Sequence, residues 1–83
     1  MTAIFELLGT SACTLCTEAE ALVRPIVEAF GWSLVILDVA EDEDLYERFG
    51  MRIPVLRRSD VAEALCWPFC ARDVEALAMV PHG

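Results

Sequence analysis

A helix-periodic stretch set between two apolar runs, neither showing polar alternation, narrows the fold of this chain more than any other feature. In residues 14–30, Leu15, Ala19, Leu22, Val23, Ile26 and Phe30 recur at helical spacing. Glu20, Arg24 and Glu28 line the opposite face, four apart and alternating in sign. Ahead lies Ala3-Ile4-Phe5-Glu6-Leu7-Leu8, and behind lies Ser33-Leu34-Val35-Ile36-Leu37. A strand apolar on both faces belongs inside a covered sheet. Strand, long helix, strand is the pattern of a right-handed crossover joining two parallel buried strands. Pro25 removes one backbone bond inside the helix, so a kink is expected near residues 21–25. Gly31 supplies a C-terminal cap, and Glu6 is expected to be a strand-end carboxylate reaching solvent.

Beyond the crossover, Glu41-Asp42-Glu43-Asp44 opens a short helix that runs through Phe49 and closes at Gly50. The four acids complement the positive end of a helix dipole rather than forming a metal site, and Leu45, Tyr46 and Phe49 supply its buried stripe. Met51-Arg52-Ile53-Pro54-Val55-Leu56 leads into a third strand. Arg57-Arg58-Ser59-Asp60 is a polar turn, and residues 61–65 pair back as a fourth strand, making a hairpin. Trp67-Pro68-Phe69 forms a rigid aromatic loop. A last helix starts at Cys70 or Ala71 and ends at Val80, with Val74, Leu77 and Ala78 facing inward. The order β-α-β-α-β-β-α predicts an α/β fold: a four-stranded mixed sheet with helices on its faces. No repeat or linker interrupts it, so residues 1–83 are expected to form a single domain.

Composition limits the function. A chain of 83 residues, 57% hydrophobic, supports one core and is not disordered. Its longest uncharged apolar run, residues 29–37, is far below the roughly 20 needed to span a bilayer. The N-terminus lacks the pattern of a signal peptide, so a cytoplasmic location is expected. The net charge is −8 and all six basic residues are arginines. That balance argues against binding a phosphate backbone or an anionic membrane. His82, in a Pro-His-Gly tail, reads as a solvated terminal residue.

The chemistry is concentrated in Cys13-Thr14-Leu15-Cys16, just after the first strand and at the head of the first helix. Four cysteines in a chain of this kind point to catalysis or metal binding rather than a stabilising disulfide framework. Disulfide exchange needs a thiolate nucleophile, an accessible sulfur and a second thiol to resolve the mixed disulfide. Cys13 precedes the first full turn, where unpaired N–H groups and the dipole favour negative charge on sulfur. Cys16 lies one turn inside on the same side. The spacing therefore makes Cys13 the nucleophile and Cys16 the resolver, while Glu18 and Glu20 partly oppose ionisation of the thiols. Cys66 and Cys70 have three readings. The favoured one takes them as a small apolar strand end and a helix-start residue. They are otherwise auxiliary thiols of a second redox pair, or half of a zinc or iron–sulfur tetrathiolate with Cys13 and Cys16. Cys13-Thr14-Leu15-Cys16 lacks glycine-rich knuckles and its second thiol is helical, so no metal is expected.

A Cys-x-x-Cys at this position, followed about forty residues on by Ile53-Pro54 at the start of a hairpin strand, resembles the thioredoxin superfamily. The compact arrangement, without an extra N-terminal strand, is similar to a glutaredoxin. More narrowly it resembles small bacterial glutaredoxin-like domains of poorly defined function. The resemblance rests on Gly9-Thr10-Ser11-Ala12-Cys13-Thr14-Leu15-Cys16, Arg48-Phe49-Gly50-Met51-Arg52-Ile53-Pro54-Val55-Leu56 and Leu65-Cys66-Trp67-Pro68-Phe69. It implies a thioredoxin-like fold and a cis Ile53-Pro54 peptide facing the thiols, with backbone groups of Ile53 offered to an extended substrate segment. Thr14, Leu15, Arg52, Ile53 and Pro54 would line the substrate.

The sequence also departs from the pattern. Thr14-Leu15 is neither the Gly-Pro of thioredoxins nor the Pro-Tyr of glutaredoxins, and this pair helps set a potential that spans roughly −270 to −120 mV among such couples. Thr10-Ser11-Ala12 replaces the basic residue usual before a glutaredoxin motif. Cys66-Trp67-Pro68-Phe69-Cys70 replaces a glycine-rich loop carrying an Asp. Arg52 and the N-terminus of the last helix are candidates for holding carboxylates, which keeps glutathione as an alternative reductant or co-substrate. The expectation is a monomeric thiol–disulfide oxidoreductase without a tightly bound cofactor. It would act on a disulfide-containing protein or a glutathione mixed disulfide and be regenerated by a cellular reductant. The alternatives are a non-catalytic interaction module and a four-cysteine metal protein.

Overall fold

A computed structural model describes residues 4–11 and 13–81, so Ala3, Ala12 and His82 lie outside the described residues. Strand β1 (Ile4–Gly9) leads into helix α1 (Thr14–Ala29), which returns to strand β2 (Ser33–Asp38). A 3-10 turn (Val39–Glu41) and helix α2 (Glu43–Phe49) follow, then strands β3 (Val55–Arg58) and β4 (Ala64–Cys66), and finally helix α3 (Ala71–Met79). The sheet order is β2-β1-β3-β4. β1 runs parallel to β2 and antiparallel to β3, and β3 is antiparallel to β4. This is the expected thioredoxin-like arrangement, with a mixed sheet and helices on both faces.

Alternation along β1 divides the core in two. Phe5 and Leu7 face α1 and α3, where they pack with Ala19, Val23, Val27, Leu56, Val74, Leu77 and Ala78. Leu8 faces the other way, against Val39, Val55, Leu45 and Phe49 on the α2 side. Burying one such side chain fully is worth about 1.5–3 kcal/mol, so the three-layer packing rather than helix propensity sets where α1 lies. The charged face of α1 is tied as its spacing predicts: Arg24 lies 2.8 Å from Glu20 and 3.6 Å from Glu28. Gly31, at φ +79°, takes the left-handed conformation that ends the helix. α1 runs as one helix with Pro25 inside it.

Several local expectations are corrected. β1 is internal, but β2 is an edge strand rather than a buried one, and Val35 and Ile36 are exposed. The acidic run splits: Glu41 ends the 3-10 turn, Asp42 caps α2 by accepting from the N–H groups of Asp44 and Leu45 at 3.0 and 3.2 Å, and Glu43 and Asp44 fill its first turn. Leu45 and Phe49, four apart, face the sheet, whereas Tyr46 is 59% exposed and leaves the buried stripe. Leu15 and Phe30, at the two ends of the α1 stripe, are also exposed. Arg57 and Arg58 belong to β3, not to a turn, and β4 is correspondingly later than expected, pairing Val55 with Cys66 and Arg57 with Ala64. Both arginines are tolerated there because each has its own partners. Arg57 Nε donates to Glu6 Oε1 at 2.8 Å across the sheet, so Glu6 is a mid-strand ion-pair partner and not a free strand end. Arg58 is buried and bonded to Asp60.

Candidate active site

β1 ends at Gly9, and the chain turns through Thr10 and Ser11 before α1. The Thr10 carbonyl accepts the Cys13 N–H at 3.3 Å, which closes the turn. Cys13 is the N-cap of α1, with extended backbone angles (φ −97°, ψ 113°). Its sulfur therefore stands where a capping oxygen usually does, and accepts the N–H of Cys16 at 3.2 Å. Both cysteines are half-buried, and Thr14 and Leu15 between them are exposed.

Cys16, one turn inside, leans on β1. A Cβ built on Gly9 would come within 2.6 Å of Cys16 Sγ and 3.0 Å of its Cβ. Only a residue without a side chain fits at position 9. The signal in the sequence is a glycine ending an otherwise apolar strand, which often marks close approach of another group. Burial pushes the Cys16 thiol up from its ordinary 9.0 to about 11. A hydrogen bond to the Cys13 side chain and the charge of Cys13 add to this, while a backbone hydrogen bond with Thr10 opposes it. Cys16 thus keeps its proton and shares it toward Cys13, whose sulfur also receives the Cys16 N–H. Cys16 also lines a cleft of about 290 Å³ shared with Gly9, Thr10, Glu20, Asp38 and Glu41.

The third strand brings the proline to the same end of the sheet. Leu8 pairs with Val55, so Pro54 comes level with Gly9, one step further on. The Ile53-Pro54 peptide is cis. Pro54 is buried and Ile53 half-buried, packed against Leu8, Val39 and Val55. The Pro54 carbonyl accepts the Trp67 N–H at 3.0 Å, while Ile53 makes no backbone hydrogen bond among the described residues. Trp67-Pro68 is a second cis peptide, and Trp67 packs edge-on to Phe69 with ring centroids 5.1 Å apart. Arg52, just before Ile53, is exposed and makes no ion pair among the described residues.

Cys66 and Cys70 do not join Cys13 and Cys16 as one cluster. Cys66 sits on β4 opposite Val55, on the sheet face that carries α2. Cys70 caps α3, which packs on the other face, and its N–H donates to Asp73 Oδ2 at 3.0 Å. Among the described residues, no three His, Cys, Asp or Glu side chains converge as a metal-binding group. The hairpin therefore separates the thiols that the tetrathiolate alternative needs together.

Comparison with known proteins agrees with this architecture. Residues 5–78 match the family described as Glutaredoxin-like domain (DUF836). The chain belongs to that family. This glutaredoxin-like domain is similar to the X-ray structure of the structural-genomics target protein XcR50 from X. campestris, with 30% identity over 93% of this chain and 99% of that one and a TM-score of 0.68. It is also similar to protein Ne2328 from Nitrosomonas europaea, at 25% identity, covering 92% of this chain and 89% of that one, with a TM-score of 0.73. Thioredoxin-2, a component of the malaria parasite protein secretion machinery, shares the fold at 20% identity over 92% of this chain and 80% of that one, with a TM-score of 0.69. No curated protein matches the chain.

Proposed function

We propose that this glutaredoxin-like domain is a thiol–disulfide oxidoreductase in which Cys13 attacks and Cys16 resolves. One observation carries the reading: the Cys13 sulfur is aimed at by both the N–H and the thiol of Cys16, while burial keeps the proton on Cys16. The outer sulfur thus sits at the head of α1 with the Cys16 N–H pointed at it, and the inner thiol is held in reserve. Cys13 Sγ attacks a substrate disulfide, forming a mixed disulfide and releasing one substrate thiolate. Cys16 then loses its proton and attacks Cys13 Sγ, so that the Cys13–Cys16 disulfide forms and the second substrate thiol departs. Two electrons pass to the substrate, and a cellular thiol reductant, glutathione among the candidates, restores the dithiol.

The free backbone groups of Ile53 next to Pro54 are suited to pairing with an extended substrate segment. Thr14 and Leu15 are exposed beside the attacking sulfur, and Arg52 is available to a substrate carboxylate. No helix among the described residues is long and apolar enough to cross a membrane; we place the activity in the cytoplasm, in a monomer.

Trapping tests the assignment. Incubated with an oxidised protein substrate, Cys16→Ser should accumulate a mixed disulfide through Cys13, visible on a non-reducing gel, and Cys13→Ser should form none. Turnover of Cys13→Ser should fall by several orders of magnitude, because the nucleophile itself is gone. If Cys13 is alkylated no faster than a free thiol at neutral pH, and Cys16→Ser traps nothing, the site is inert and the domain is an interaction module.

A further inference from the structure

Three of the six arginines of this acidic chain converge on one groove. It occupies about 670 Å³ over β3 and β4, on the α2 face, and its lining includes Glu6, Arg48, Phe49, Arg52, Arg57 and Cys66. That volume suits a small-molecule ligand. Arg58 also borders it, but its buried side chain points to the other face of the sheet, to Asp60 and the end of α3, and offers the groove no charge.

Glu6 is the one carboxylate of the lining, and it is spent on Arg57 at 2.8 Å. Arg48 and Arg57 stand 5.1 and 5.6 Å from the centre of the Phe49 ring, which gathers two guanidiniums around one aromatic side chain. Asp44 reaches Arg48 only at 3.6 Å, and both side chains are largely in water, where such a pair is weak. Arg52 has no ion-pair partner among the described residues. Cations gathered with so little compensation on a chain of net charge −8 are matched to an anion.

Cys66 adds a reactive atom to this electrostatic trap. Its pairing with Val55, two residues before Arg57, puts it on the same face as the arginines, and it is exposed. We propose that the groove binds a small carboxylate-bearing disulfide and that Cys66 captures one half of it as a mixed disulfide. In that step the ionised Cys66 sulfur attacks one sulfur of R–S–S–R. A Cys66–S–S–R bond forms as the ligand's own S–S bond breaks, and the other half leaves as a thiolate that takes up the proton given up by Cys66. The cysteine is oxidised and the ligand disulfide reduced. Neither Cys13 nor Cys16 lines the groove, so the attacking sulfur is a different one; Arg52 is shared with the substrate path proposed for the dithiol.

The test uses the full chain carrying Cys13→Ser, Cys16→Ser and Cys70→Ser, which leaves Cys66 as the sole thiol. Its rate of mass gain is followed by intact-protein mass spectrometry with dithiodiglycolate (two carboxylates), bis(hydroxyethyl) disulfide (neutral) and cystamine (two ammonium groups). Dithiodiglycolate should react roughly tenfold faster than cystamine, the scale of local electrostatic focusing. Adding Arg48→Ala and Arg52→Ala, both exposed and outside the core, should abolish the preference. Lysine at both positions should keep it. A companion chain whose sole thiol is Cys70 should follow net charge and prefer cystamine. Peptide mapping of Cys66 in the unsubstituted chain reads the same order without any serine replacement. The proposal is overturned if Cys66 also prefers cystamine, if its preference survives loss of both arginines, or if Cys70 prefers the dicarboxylate equally.

Discussion

Cys16 is held against the end of β1 with its proton retained, and that arrangement makes the stability of the fold depend on pH in a defined direction. A thiol is neutral when protonated, and its pKa rises from the ordinary 9.0 to about 11 in the folded chain, with burial the largest cause and the Cys13 side chain the next. The fold therefore favours the protonated form. Its contribution is complete below pH about 9 and is lost as pH rises through about 11. Urea midpoints of the reduced protein should fall across that alkaline window. The Cys13–Cys16 disulfide form, with no thiol there to ionise, should not share this loss. Cys13→Ser should lower the Cys16 pKa only part of the way to the ordinary value, because burial remains. A thiolate absorbance titration reads both; a Cys16 pKa at or below 9 would remove the argument for a reserved proton.

At the scale of elements, α1 and its relation to the sheet were legible in the sequence because the signal is local: a helical period, an alternating charge face and a glycine at φ +79°. Pro25 was legible too, and it sets up a gain. Proline removes the N–H that would bond to the Ala21 carbonyl and costs about 3 kcal/mol in a helix interior. It returns up to ~1 kcal/mol by restricting the unfolded chain. Pro25 is exposed, so nothing packed is lost when its ring goes. Pro25→Ala should stabilise the protein by about 1–2 kcal/mol, measured by urea denaturation; an unchanged or lower midpoint would mean that α1 has already accommodated the ring. What was not legible came from partners distant in sequence. Two adjacent arginines look like a turn until Glu6, 51 positions away, is known to face Arg57. The apolar run of β2 looks buried because nothing local marks which strand is last in the sheet. Of the site, the Cys13 and Cys16 spacing was readable, whereas the arginine groove needs α2, β3 and β4 assembled.

For the molecule as a whole, Arg58 is the joint between layers. Its guanidinium is bonded to both carboxylate oxygens of Asp60 at 2.6 and 2.7 Å, and to the carbonyls of Leu77 and Val80 at the end of α3 at 2.9 and 2.6 Å. It also lies 4.5 Å from the centre of the Trp32 ring, at the entry to β2. One side chain on β3 thus ties together the hairpin, the last helix and the edge strand. A lysine cannot reproduce the planar fork or the stacking. Arg58→Lys should cost about 3 kcal/mol, near the lower end for breaking a buried pair, seen as a lower urea midpoint with an unchanged slope. A loss under ~0.5 kcal/mol, the range of ordinary surface substitutions, would mean that the joint is dispensable.

The contact between Gly9 and Cys16 bears on descent as well as on chemistry. A side chain at position 9 and a sulfur at position 16 compete for one volume. A lineage that discards the inner thiol loses the closer of the two contacts that hold glycine at 9; one that keeps the thiol does not. Once a methyl group has occupied that volume, a single substitution back to cysteine no longer restores a dithiol, and loss of the inner sulfur becomes a one-way step.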